Sequence, residues 1–440
     1  MLYILILLYL IILESWVCML KKIRDNLIDI YIIMNILFIF ISCYLRLIKV
    51  IEYIDFGNFI HVAAIINFIV IVFFIIIRKI KKDFFKFNII DILLLLMLVF
   101  GFISTIFAYD VGLSINGVKP RYEGLFAIAY YLSLAYLSSY VKNKKLIINV
   151  ILFTGMVQTI YAICQVNCLF GVIKYTHYAY DYEIWATGFI YNPNFFATYV
   201  LLCLLYSIGL FFDEKSIINK IMYCLLICLF MVGLLIANTT SCAVGFIISF
   251  IYLLFYSIKK KEFMKIICIT VVLLLSSTFV IMANKTTLVG DLSRTGYEVS
   301  ELYKGKNDEQ FGTKRIGLWQ KTLVIIPRYL LHGVGIDNFG KVLDGKAIKI
   351  GPYAYDKAHN EYLQILVTEG IFCLMTYLIF YFILVVKCIK NSFCGNSLYL
   401  IIPIIGYLVQ AFFNISVIDV APIFWIGIGF LIDRCKVHEC

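Results

Sequence analysis

Apolar runs long enough to cross a bilayer recur along the whole chain, and they leave the sequence few other ways to fold. A hydrocarbon core of roughly 30 Å takes about 20 apolar residues at a rise of about 1.5 Å each. Runs of that kind stand near residues 1–20, 27–48, 60–77, 88–107, 124–141, 146–168, 194–212, 217–237, 240–258, 264–282, 361–386, 398–414 and 416–433. With 63% of residues hydrophobic and 15% charged, the chain is too apolar for a water-soluble protein of several domains. The pattern predicts an all-α polytopic membrane protein, with about 12 core transmembrane helices and one extra N-terminal span.

The net charge of +11 is not gathered into a patch for nucleic acid; the basic residues sit in short clusters between apolar runs. Every second connection is basic, as in KKIR (21–24), RKIKKDFFK (78–86), KNKK (142–145) and KKKEFMK (259–265). Those connections are expected to face the cytoplasm, which sends 108–123, 169–193, 238–240 and the long loop 283–358 to the outer side. The expected divisions are an N-terminal anchor at 1–26, a transmembrane bundle at 27–282, the extracytoplasmic loop 283–358 with an interfacial helix, and C-terminal membrane helices at 359–440. The first segment lacks a basic n-region, so it reads as an anchor rather than a cleaved signal. The 14 Cys fall mostly inside apolar runs and read as small packing residues, including the i,i+4 pairs Cys164/Cys168 and Cys224/Cys228.

Chemistry-capable residues gather in the outer segments. RIGLWQKTLVIIP spaces Ile316, Trp319, Leu323 and Ile326 on one helical face, with Arg315 at its start and Pro327 expected to stop it. HGVGIDNFG (332–340) needs a tight backbone path through Gly333 and Gly335; it reads either as a turn or as a nest of N–H groups for an anion. Asn360 is a good N-cap for the run that follows, with Gln364 one turn on, so His359 should stand ahead of a helix N-terminus. Such a position favours an anion and disfavours the imidazolium, leaving a histidine free to accept a proton. Asn192-Pro193-Asn194 opens another outward helix, and Arg121 and Glu123 precede the run at 124–141. Each of these also reads as an ordinary cap or interfacial residue.

Taken in order, RYEGLFAIAYY (121–131), GFIYNPNFFATYVLL (188–202), RIGLWQKTLVIIPRYLLHGVGIDNFG (315–340) and AHNEYLQILVTEGI (358–371) resemble the O-antigen ligase and O-antigen polymerase superfamily of envelope glycan assembly. The ligase-like region is expected at about 220–380. The resemblance implies a GT-C-like, metal-independent glycosyltransferase that needs no cofactor. It implies a polyprenyl-diphosphate-linked glycan as donor, a sugar or lipid as acceptor, and a site on the extracytoplasmic face of a bacterial cytoplasmic membrane. On this sequence it makes His359 the base and Arg315 the diphosphate ligand, with Asn360, Gln364, Asn192, Asn194, Trp319, Gly333 and Gly335 supporting them. Trp319 is expected along the carrier's path. One departure stands out: where family members carry Ser-Arg, this chain has Ser241-Cys242, and Arg121 is the candidate to supply the missing charge. The sequence leaves ligase against polymerase, the glycan, its acceptor and the oligomeric state open. A transporter or flippase is the competing reading, and a purely structural membrane protein a third.

Overall fold

The computed structural model describes residues 26–50, 52–80, 88–167, 169, 186–306, 308–394 and 398–437. The anchor expected at 1–20 and Cys168 lie outside them. Before the long loop the helices are α1 (Leu27–Leu47), α2 (Tyr53–Ile80), α3 (Ile89–Ile106), the short α4 (Val111–Asn116), α5 (Leu125–Ser138), α6 (Lys144–Asn167), α7 (Pro193–Asp213), α8 (Ile217–Ile236), α9 (Thr240–Lys260) and α10 (Phe263–Met282). The loop holds α11 (Leu288–Tyr303), α12 (Arg315–Tyr329) and a hairpin of β1 (Ile348–Ile350) and β2 (Tyr353–Tyr355), paired antiparallel with Lys349 opposite Ala354. After it come α13 (Glu361–Glu369), α14 (Ile371–Cys394), α15 (Leu398–Ala411) and α16 (Ala421–Val437). Nine helices among the described residues are long and apolar enough to cross a membrane, and α5 and α15 are shorter apolar helices.

At the centre stands α7, whose membrane-length window is entirely buried. Its sequence, PNFFATYVLLCLLYSIGLFFD, is apolar all round, as a helix enclosed on every side must be. Asn192 caps it by accepting the backbone N–H of Asn194, and Pro193 occupies the first turn, where its missing donor costs nothing. Close helix approach is set by small residues. A Cβ on Gly209 would stand 2.2 Å from the Tyr399 Cα, and one on Gly245 2.6 Å from the Gly406 carbonyl oxygen. Without a hydrophobic driving force inside lipid, such backbone contact is a main source of helix association.

Three features depart from the sequence reading. The run expected as one span at 361–386 is broken at Gly370 (φ +87°), which separates α13 from α14. A side chain there would meet the Leu331 carbonyl at 2.5 Å, and the N–H of Ile371 donates to Leu330 O at 2.7 Å. Second, α12 does not stop at Pro327; it carries that proline inside and ends at Tyr329. Third, the face of α12 turned inward is Leu318, Thr322 and Tyr329, while Leu323 and Val324 are exposed. Leu318 and Tyr329 join Val334, Phe339, Ile348 and Val367 in a second hydrophobic core, separate from that of the bundle. The long loop is thus a folded unit.

The connections expected to share one side do converge at one end of the bundle. Tyr109 N–H donates to Val334 O at 3.0 Å, Asn238 Oδ1 accepts from Thr287 N–H at 2.8 Å, and Ala186 N–H reaches Ile236 O at 3.4 Å.

Candidate active site

The segment leading into α13 is held by reciprocal hydrogen bonds around Ala358. Its carbonyl accepts the Trp319 indole N–H at 2.9 Å, and its N–H donates to Gln364 Oε1 at 2.8 Å. One residue further, Asn360 caps α13 by accepting the Leu363 N–H at 2.9 Å. His359 lies between these two fixed points, in the left-handed region at φ +49°. A histidine rarely adopts that conformation unless its surroundings impose it.

Around the imidazole the structure brings together residues far apart in sequence. Tyr355, from β2, meets the ring edge-on at 6.0 Å between centroids. Burial first, then the charges of Arg315 and Arg121, hold the His359 pKa down at about 4, against the opposing pull of Asp356. The histidine is therefore neutral at physiological pH and able to accept a proton. Helix-end polarity was the cause expected from sequence; the larger causes are burial and two guanidinium groups.

The two arginines differ in how they are engaged. Arg121 donates to Asp356 at 2.5 Å, in a half-exposed pair. Arg315 is half-buried; its Nη1 donates to Thr313 Oγ1 at 3.2 Å, and among the described residues no carboxylate pairs with it. Burial lowers its pKa from the ordinary value, although a guanidinium remains charged in any protein setting. A partly desolvated cation without a counter-charge is a site for an anion with several oxygens. Glu123 is turned elsewhere, accepting the Tyr131 hydroxyl at 2.7 Å, and burial pushes its pKa up to about 8.

The remaining candidates fall into two groups. Trp319 and Gln364 hold the His359 segment, and the Trp319 ring packs against Phe412 at 5.5 Å. Asn192 and Asn194 serve the first turn of α7, where Asn194 O accepts from Thr198 at 2.8 Å. Of the two readings of HGVG, turn or anion nest, the structure shows the turn: the N–H groups of Gly333, Val334 and Gly335 are occupied by the carbonyls of Tyr329, Val367 and Thr368. These glycines clasp the end of α13 instead. A Cβ on Gly333 (φ +74°) would stand 2.1 Å from Thr368 O, so Gly333→Ala should sharply reduce folded protein in membranes. Gly296→Ala, in α11 with nothing within 4 Å, should leave abundance unchanged; both are read by immunoblot and thermal aggregation.

Cys242, singled out from sequence because the resemblance leads one to expect an arginine there, is wholly buried, 3.6 Å from Thr198 Oγ1. Asp356, Lys357 and Tyr355 were not singled out from sequence, although they directly precede the AHNEY motif. Their proximity was visible, but Asp356 pairs with Arg121 from a distant segment, Lys357 with Asp337 in a separate turn of the loop, and Tyr355 stands in a hairpin too short to read.

No curated protein matches the chain. The O-antigen ligase family model matches residues 224–378, a stretch running from within α8 through the loop into α14 and containing Cys242, Arg315, Trp319 and His359 but not Arg121. Over that region, about a third of its length, the chain is similar to the O-antigen ligase family.

Proposed function

We propose that the protein transfers a glycan from a polyprenyl diphosphate carrier to a sugar or lipid hydroxyl, at the extracytoplasmic face of a bacterial cytoplasmic membrane and on a GT-C-like scaffold. The observation that carries this reading is that Arg315, a guanidinium with no carboxylate partner among the described residues, acts electrostatically on a neutral histidine, His359. His359 takes the proton of the acceptor hydroxyl as its oxygen bonds to the anomeric carbon. The bond from that carbon to the diphosphate oxygen breaks, and the carrier diphosphate leaves with the electron pair. Arg315 stabilises the charge developing on the diphosphate by charge-assisted hydrogen bonds. Arg121 shares this task by exchanging part of its contact with Asp356 for the phosphate, and so stands in for the arginine that Cys242 replaces.

The test is the carrier-linked glycan of a strain lacking the chain. Accumulation at the outer face, open to an added glycosidase, supports transfer; single repeats would identify a polymerase and long chains a ligase. Accumulation shielded from the enzyme would assign transport instead, and unchanged surface glycan would exclude both.

A further inference from the structure

Two residues before His359, Lys357 forms with Asp337 an ion pair that is almost fully withdrawn from solvent, with side-chain exposures of 4% and 0%. We propose that this pair is a positioning device for the transfer reaction, tying the segments that carry His359 and Arg121 to one fixed turn; the inference rests on the function proposed above.

The geometry has three parts. Asp337 Oδ1 accepts from Lys357 Nζ, two residues before His359. Its other oxygen, Oδ2, accepts the backbone N–H of Val118, three residues before Arg121. Asp337 itself sits at φ +58° in a turn fixed by Asn338, whose side chain accepts from Asp110 N–H at 2.9 Å and donates to Asp110 O at 3.1 Å. One carboxylate thereby joins the Arg121 segment and the His359 segment through its two oxygens. For stability alone such a pair has little merit, because removing two charges from water offsets most of their attraction, and apolar residues of like volume often do as well. What apolar residues cannot supply is direction at both oxygens.

The pair also sets the field at the histidine. The charged and titratable groups facing His359 are Arg315, Arg121, Asp356, Lys357 and Tyr355. The pair shares the lining of a cavity of about 100 Å³ with Glu123, Glu361, Gln364 and Glu369, and Lys357, Asp337 and Glu361 all act on the Glu123 carboxyl. Lys357 opposes protonation of His359, and Asp337 compensates Lys357. Single substitutions at the two partners should therefore move the histidine in opposite directions.

The experiment measures transfer rate against pH in membranes of the deletion strain carrying each variant at equal abundance, with carrier-linked glycan extracted from that strain as substrate. Lys357→Met should move the acid limb to higher pH and Asp337→Asn to lower pH. Both should reduce kcat, by about 10²-fold if the reacting groups are displaced by about 1 Å. Asp337→Asn/Lys357→Met leaves no lone buried charge, so it should fold, regain a near-wild-type acid limb and keep the low kcat. An unmoved limb in both single variants, with wild-type kcat at equal abundance, would make the pair merely structural. Should the single variants fail to insert, a double variant with full kcat overturns the proposal. A wild type that transfers nothing overturns the underlying function itself.

Discussion

Replacing His359 with asparagine should lower the transfer rate by about 10²- to 10⁴-fold, the usual contribution of a positioned general base, while leaving the protein in the membrane at wild-type levels. Asparagine is the informative substitution because it tolerates the left-handed backbone that His359 adopts at φ +49°, whereas alanine adds strain to the loss of the base. The pH dependence follows from the same surroundings. With its pKa lowered to about 4, the imidazole is deprotonated throughout the neutral range, so the wild-type rate should stay flat there and fall only as pH drops through about 4. An acid limb near the ordinary histidine value would show that neither burial nor the arginines act on the ring in the working enzyme. Transfer assays with extracted carrier-linked glycan measure both quantities. Full activity in His359→Asn would remove the base from the mechanism.

Where the apolar runs are long, the sequence and the helices agree, because a membrane demands both length and internally satisfied backbone bonds. Helix starts were equally readable at Asn192 and Asn360, whose side chains cap as their residue type predicts. The break at Gly370 was not, since LVTEGIFCLM continues an apolar pattern and only the approach of Leu331 explains the interruption. Helix α11 escaped notice because Gly290 and Gly296 interrupt a mostly polar stretch, and its ties are made at a distance. Glu298 accepts Arg294 Nε at 2.9 Å and Gly312 N–H at 2.8 Å. At the site, residue type pointed to His359, Arg315 and Arg121, but not to what holds them. The glycines of HGVG were correctly read as demanding an unusual backbone, yet that backbone serves a clasp on α13. Pairings such as Arg121 with Asp356 leave no trace in local spacing; they arise only when the loop unit folds onto the bundle.

Arg315→Ala should cost about 10²- to 10³-fold in kcat, the range for removing one preorganised donor from a developing anion. Arg315→Lys should recover only part of it, because a single ammonium cannot offer the two parallel N–H bonds of a guanidinium. The effect should exceed that of Arg121→Ala, because Arg121 already spends part of its charge on Asp356 while Arg315 has no such partner among the described residues. Removing Arg315 also withdraws a positive charge from His359, so the acid limb in Arg315→Ala should move to higher pH, toward the ordinary histidine range. A rate loss without that displacement would place Arg315 away from the histidine in the working state. Arg121→Ala outweighing Arg315→Ala would instead assign the leaving diphosphate chiefly to Arg121. Rates across pH for the two alanine variants, at matched membrane abundance, separate these outcomes.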